Sequence, residues 1–479
     1  MSASTKHPKG FVSVVFINFA EHFSYNSLMA LFVLYLTESF IYENSIAIYT
    51  QNSFITLAFI VPIIAGWIAD KYLGYFSTVM LGIVLCVIGL MMLGYGTQTQ
   101  QLYALSLLLV GFSLQKSNIQ CLLGSIYHTN SNLRDAGFTI LQITGNIGGI
   151  VGPLVCGYIG LYYSYALSFN LAAAPYILSI ILLLMNIKKI NTPRDTKKIG
   201  GSNIITWLCI LIVLFLIVAG CAYLIQNSYA HNLLFIIIGF ASIFFLKLYF
   251  TSTSSVRNQI NVMLILMVFA CIYWASNSQL SSSLMIYVQE NVNLQLFNWL
   301  IIPPSAVLSC QQASMLIFGL LIAYYYRKHV HELTSINRLN KATAALFLQM
   351  TGFIIISVCT HYSYNGADPI PIIWIILAVI ITGLAEIIYM PTAMSLITQI
   401  GGGQHSGFLT AYFLLFSGAL PAYISTLLIK TASSYQYTNV PHRIAQAHQY
   451  FHLYLIITLM CLISVAILFS IRILFKWKR

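Results

Sequence analysis

The sequence predicts an all-α protein that crosses a membrane many times. Two observations carry this: 59% of the residues are hydrophobic against 7% charged, and apolar runs of similar length recur from end to end. A soluble domain carries about a quarter charged residues, so no aqueous surface can be built from this composition. A helix needs about 20 apolar residues to cross the hydrocarbon core. Membrane strands would instead leave alternating segments of roughly ten, a pattern not seen here. The runs predict fourteen spans near 11–36, 50–69, 76–96, 101–124, 136–160, 162–187, 203–226, 232–252, 259–288, 297–326, 340–361, 369–399, 405–430 and 449–475. The first lacks a small-residue cleavage site and reads as a retained span.

The formal net charge of +12 would suit nucleic acid, but its distribution assigns it another role. With the N-terminus in the cytoplasm, all Lys and Arg except Lys116, Lys430 and Arg443 fall on cytoplasmic segments or span ends. That is the positive-inside bias, which orients a membrane chain with both termini cytoplasmic. No nucleic-acid partner is needed; the partner of this surface is a lipid bilayer. Nine cysteines are scattered singly, with no CxxC and no Cys/His cluster, so they read as small apolar filler and predict neither a metal site nor a cofactor.

The polar stretch Lys188 to Asn203, with Pro193 and five basic residues, separates six spans from the rest. Two plain Leu/Ile/Phe spans follow, with Lys247 near one end, and then six more. The division is therefore 1–188 for an N-terminal six-helix bundle, 189–258 for a linker with two inserted helices, and 259–479 for a C-terminal six-helix bundle. Transporters commonly bind substrate at the midplane between two such halves.

Of the charged residues only Glu21, Lys116 and Glu386 lie deep inside spans. Each costs roughly 2.5–3.5 kcal/mol to insert, which points to a functional role, with structural pairing or snorkelling to an interface as the alternative. On the first helix Asn18, Glu21, His22 and Tyr25 recur at i, i+3, i+4, i+7 and share one face. That face meets either a cavity or another helix. His22 is a candidate proton carrier near neutral pH, with a structural hydrogen bond the equal alternative. The ninth span carries Trp274, Asn277, Ser278, Gln279 and Ser281 to Ser283, which suits a water-filled pathway; Gln311 and Gln312 give a weaker form of the same signal. The glycines from Gly145 to Gly152 suit close helix packing, and Asn146 among them is a candidate cavity-lining residue. Pro391, five residues after Glu386, would free backbone carbonyls near the carboxylate.

Several segments in order resemble the proton-dependent oligopeptide transporter family of the major facilitator superfamily. Gly66 to Gly74 (GWIADKYLG), read as a loop after the second span, resembles its cytoplasmic gating motif and implies a gating role for Asp70. Gly111 to Asn118 (GFSLQKSN) resembles its lysine-bearing fourth helix, with Lys116 on the family lysine. Ala136 to Pro153 (AGFTILQITGNIGGIVGP) resembles the fifth-helix signature, with Asn146 on a substrate-contacting asparagine. Gly383 to Pro391 (GLAEIIYMP) resembles the segment whose glutamate receives a peptide's amino terminus, which is Glu386 here. The inserted helix pair is typical of bacterial members. The resemblance implies the major facilitator fold and residence in a bacterial cytoplasmic membrane.

The departures are specific. The family's first-helix ExxER motif is reduced to Glu21, with Asn18 and His22 at the other two places. A basic residue expected seven positions later is Met29. The acid expected in the first helix of the second bundle aligns with Ser278, an asparagine in the next helix with Gln311, and a fifth-helix aromatic with Gln142. Lys116 then needs Glu21 or a substrate carboxylate as its counter-charge, or it loses its proton.

The expected function is proton-coupled import of di- and tripeptides or similar small zwitterions by alternating access. Glu386 would bind the ammonium, and Lys116 with His22 the carboxylate. Asn146, Tyr25 and Gln311 would orient the amide, Glu21 with His22 would carry the proton, and Asp70 would latch the cytoplasmic side. A relative with a non-peptide substrate or altered coupling is the first alternative, and a membrane sensor that binds without flux the second. No nucleophile–base pair or ligand cluster supports an enzyme.

Overall fold

The computed structural model describes residues 7–116, 118–127, 133–190, 204–227, 229–297, 300–328, 335–366, 369–401, 406–433 and 442–477. Most of the polar stretch after Ile190, with Pro193 and Asp195, lies outside them, as do Glu332 and Asp368. Within the described residues, eleven helices are long and apolar enough to cross a membrane by length and composition. The chain is a multi-pass, all-α membrane protein. Three further helical segments fall outside that criterion: α1 (Phe11–Phe40), the pair α4 (Gln98–Lys116) and α5 (Asn118–Ile126), and a later helix whose apolar part is Ala306–Ile322. Together they are consistent with the fourteen spans expected.

Contacts divide the chain into two compact units, Met1–Ile41 with Leu57–Ala230, and Tyr42–Thr56 with His231–Arg479. The first contains α1, the second part of α2 (Asn44–Ile68), α3 (Tyr75–Tyr95), α4, α5, α6 (Arg134–Tyr162), α7 (Tyr165–Ile190) and the inserted α8 (Ile204–Gln226). Its closest seam is α1 against α6. A Cβ on Gly148 would lie 2.5 Å from the Phe19 carbonyl oxygen and 3.0 Å from the Phe23 nitrogen. Only a residue without a side chain allows that approach, the small-residue packing by which helices associate in lipid. Asn18 fastens the same seam, donating from Nδ2 to the Leu141 carbonyl at 2.8 Å. The GWIADKYLG segment is not a loop: α2 runs through Ile68 and widens into a π-helical turn, Ala69–Leu73. The Gly74 N–H closes that turn on the Ala69 carbonyl at 2.9 Å, so backbone groups that a loop would leave open are satisfied internally.

The second unit contains the first part of α2, the inserted α9 (Ala230–Thr251), α10 (Ser254–Asn277), α11 (Ser283–Asn291), α12 (Ala306–Lys328), α13 (Ser335–Tyr364), α14 (Ile372–Gly401), α15 (Ser406–Leu414), α16 (Leu420–Ser433) and α17 (His442–Trp477). Two short strand pairs accompany them: β1 (Val292–Asn293) runs parallel to β4 (Ile370–Pro371), and β2 (Gln295–Phe297) antiparallel to β3 (Leu300–Ile301). The tenth span therefore begins at Ala306, not 297. Pro303 and Pro304 explain the delay, because proline bars helix continuation and pushes its predecessor toward extended backbone. Between α15 and α16 a π-helical turn, Leu415–Ala419, precedes Pro421, and Cys271 donates its thiol to the Phe416 carbonyl at 2.8 Å.

The ninth span is broken. It passes from α10 through a 3-10 turn, Ser278–Leu280, before α11 resumes. Part of its polar run, read from sequence as suiting a water-filled pathway, packs into a buried junction, while Trp274, Asn277, Ser278 and Ser281 keep partial exposure. Gln279 Nε2 donates to Ser425 Oγ at 2.7 Å, Ser283 Oγ to Gln279 Oε1 at 2.8 Å, and Asn52 Nδ2 to Thr426 Oγ1 at 3.0 Å. Gln279, Ser282 and Ser283 are fully buried. Polar side chains can bond one another in place of water, as Gln279, Ser283 and Ser425 do here.

If the α1–α6 seam sets the first unit's packing, Gly148→Ala will force the helices apart at a cost of about 1–3 kcal/mol. The expected result is a thermal transition several degrees lower in detergent, measured on the purified protein.

Candidate functional site

Of the three deep charges Glu21 and Lys116 lie in the first unit and Glu386 in the second; rings meet Lys116 and amides meet Glu386. In the first unit Lys116 is the last described residue of α4, and its side chain is exposed although its Nζ rests on two aromatic rings. It lies 4.9 Å from the Phe59 ring centroid and 5.8 Å from that of Tyr25. Such cation–π contacts are worth about 0.5–2 kcal/mol. Among the described residues no carboxylate lies within ion-pair distance of Lys116, and Glu21 is the acid whose charge acts on it from further away. Its near neighbours are therefore ring faces and no carboxylate.

The first-helix face divides by role. Glu21 is buried and sits 3.5 Å from His22 Nε2, whose side chain is 36% exposed. Tyr25 packs edge-on against Phe112 at 5.2 Å and turns its ring to Lys116. Asn18 is committed to the α6 backbone and belongs to helix packing. On α6, Gln142 Nε2 donates to Asn146 Oδ1 at 3.3 Å, so these two amides share one face. Asp70 sits exposed in the π-helical turn, accepting from the Tyr75 hydroxyl at 2.9 Å, while Lys71 stacks near Trp67 and Tyr72.

In the second unit, Glu386 lies within the continuous α14, which includes Pro391. Asn277 Nδ2 donates to Glu386 Oε2 at 3.5 Å and Gln311 Nε2 to the same oxygen at 3.4 Å. Gln311 Nε2 also donates to Asn277 Oδ1 at 2.9 Å, which ties the two amides together. No cation pairs with this carboxylate among the described residues, and Oε1 receives no hydrogen bond from them. Gln311 reaches the carboxylate because α12 and α14 nearly touch: a Cβ on Gly383 would lie 2.8 Å from the Gln311 carbonyl oxygen and would collide with Ser314.

Two tyrosines set the register of α10 against α14. Tyr273 donates to the Thr382 carbonyl at 3.3 Å and Tyr389 returns a bond to the Leu266 carbonyl at 2.6 Å. Their rings stack at 5.2 Å with 1° between planes. One turn beyond this crosslink, Asn277 meets Glu386.

Ser278, the position aligned with an expected acid, turns its hydroxyl to its own helix and donates to the Ala275 carbonyl at 2.9 Å. The residue that reaches Glu386 is its neighbour Asn277, noted in the sequence only as one of a polar run. Phe59 was not marked at all; an aromatic on an apolar helix carries no signal of its own. Among the described residues no group of three His, Cys, Asp or Glu could hold a metal, and all nine cysteines are free. What the two units present is one lysine and one glutamate, Lys116 and Glu386, each without an ionic partner among the described residues.

Residues 76–449 match the family described as PTR2: POT family, well over half of the chain. Dipeptide and tripeptide permease B of Aliivibrio fischeri (strain MJ11) is 25% identical over 415 residues, covering 85% of this chain and 83% of that protein. A peptide transporter POT solved in complex with sulfate superposes with a TM-score of 0.77 at 24% identity, covering 97% of this chain and 96% of that one. A bacterial homologue of the human drug peptide transporters PepT1 and PepT2 superposes with a TM-score of 0.80 at 18% identity, covering 98% of each chain. These solved structures carry the same fold. By the extent of the family match, this chain belongs to the POT family, the proton-dependent oligopeptide transporters of the major facilitator superfamily.

Proposed function

We propose that the chain is a proton-coupled symporter importing di- and tripeptides or similar small zwitterions by alternating access, in a bacterial cytoplasmic membrane with both termini inside. The observation that carries the reading is the pair of deep, oppositely charged groups without ionic partners among the described residues, Lys116 over its rings and Glu386 under its amides. A zwitterion supplies both missing counter-charges, and an interaction to a charged group is worth about 1.5–3 kcal/mol. Glu386 takes the substrate ammonium. Lys116, with His22, takes the carboxylate, and Asn146, Tyr25 and Gln311 orient the amide between them. Glu21 carries the proton, with its neighbour His22 at 3.5 Å as the exchange partner. The bundles 1–188 and 259–479 move as the two halves of the cycle, with Asp70 latching the cytoplasmic side. The asymmetry of Lys and Arg along the chain supports the orientation.

A second reading, a relative that carries a non-peptide cation or zwitterion, is favoured by one observation. Ser278 supplies no acid beside Glu386, so this site holds less charge than the resemblance implies. Competition by unlabelled amines, amino acids and peptides against a labelled dipeptide separates the two.

In proteoliposomes, an imposed inward proton gradient should accelerate dipeptide uptake, because one charge moved through 100 mV is worth about 2.3 kcal/mol. Glu21→Gln should remove the acceleration while leaving substrate exchange; flux indifferent to the gradient in the native protein would end the symport reading. Glu386→Gln should cut dipeptide uptake at least tenfold. With Lys116→Met, the free-acid peptide should lose its advantage over the C-terminally amidated one in a competition assay.

A further inference from the structure

The ammonium site has a residue that neither its charge nor the family resemblance singles out. We propose that Asn277 is a positioning residue for Glu386, and that with Gln311 it forms a neutral relay fixing which carboxylate oxygen is offered to the substrate. This rests on the reading of Glu386 as the ammonium acceptor.

Three observations carry it. First, the two donors converge on one atom: Asn277 Nδ2 at 3.5 Å and Gln311 Nε2 at 3.4 Å both address Glu386 Oε2. A carboxylate accepting on one oxygen alone loses its two-fold rotational freedom, and Oε1 is left as the accepting face. Second, the donors are themselves ordered. Gln311 Nε2 gives its shorter bond, 2.9 Å, to Asn277 Oδ1. That bond fixes the orientation of the Asn277 amide, so its NH2 and not its carbonyl faces the carboxylate. Asn277 thus bonds both other members of a closed triangle, and removing it loosens both. Third, the backbone gives Asn277 this place. It is the last residue of α10 before the 3-10 turn, one turn past the Tyr273–Tyr389 crosslink that locks α10 to α14. Ser278, one residue later, already points its hydroxyl back to Ala275.

The relay has a chemical consequence. Both members are amides and hold no charge, so they orient the carboxylate without neutralising it. A lysine or arginine here would compete with the substrate ammonium, and a second carboxylate would add a repulsive charge that must be protonated. An amide pair does neither. Specificity for a free amino group therefore depends on the geometry of Asn277 as well as on the charge of Glu386.

The test is the binding ratio of a free dipeptide to its N-acetylated form, measured by thermal shift or calorimetry on the full chain in detergent. This ratio isolates the ammonium; a general loss of folding lowers both affinities together and leaves it unchanged. Asn277→Ala should reduce the ratio about three- to tenfold. Asn277→Gln, which keeps the amide on a longer arm, should recover part of it, and Ser278→Ala should leave the ratio as in the native protein. If Glu386→Gln abolishes the ratio but Asn277→Ala does not change it, the positioning role is wrong while the ammonium site stands. If Glu386→Gln itself leaves the ratio intact, the ammonium reading fails and this inference with it.

Discussion

A charge held in hydrocarbon must be solvated by the protein, and the kind of solvation decides what the charge can still do. When a buried lysine meets a carboxylate, both are spent. Lys116 instead lays its Nζ against the faces of Phe59 and Tyr25 with its side chain exposed, and no carboxylate among the described residues pairs with it. Glu386 is treated in the same way by Asn277 and Gln311, which donate to it without cancelling its charge. The rest of the site follows from this. Neutral neighbours leave both groups without an ionic partner among the described residues, and the helix packing around them holds the rings and amides in reach.

That packing is built from close approaches. Gly148 lets α1 lie on the backbone of α6, which brings the face bearing Glu21, His22 and Tyr25 to its neighbours. Gly383 lets α12 lie on α14, which brings Gln311 to Glu386. In lipid there is no hydrophobic drive between helices, so contact must come from backbone proximity and polar bonds. Each unit accordingly has a seam where a side chain would not fit, and hydrogen bonds close the α1–α6 seam and the α10–α14 seam.

Much of this was legible in the sequence. The spans declare themselves because about 20 apolar residues in a row have few other uses, and Glu21, Lys116 and Glu386 stand out because they should not be there. The polar run from Asn277 to Ser283 was legible as polar but not as to its purpose. Serine and glutamine can face water or one another, and composition does not distinguish the two; only the fold brought Gln279 to Ser425. Phe59 was invisible for the opposite reason, as one apolar residue among many. The break after Asn277 and the π-helical turn at Ala69–Leu73 were hidden because polar residues mark a departure from apolar helix without saying whether the backbone loops, tightens or widens there. The delayed start at Ala306 was readable in Pro303 and Pro304 once their steric rule was applied.

The reciprocal tyrosine pair bears on how such a site changes over time. Tyr273 and Tyr389 each bond a main-chain carbonyl on the other helix, those of Thr382 and Leu266. Any residue at 266 or 382 presents the same carbonyl. The alignment of α10 and α14 is therefore anchored independently of the side chains around it. Neighbouring positions are free to exchange charge for amide, or amide for hydroxyl, without shifting the frame, so the site can evolve in specificity while its scaffold stays in register.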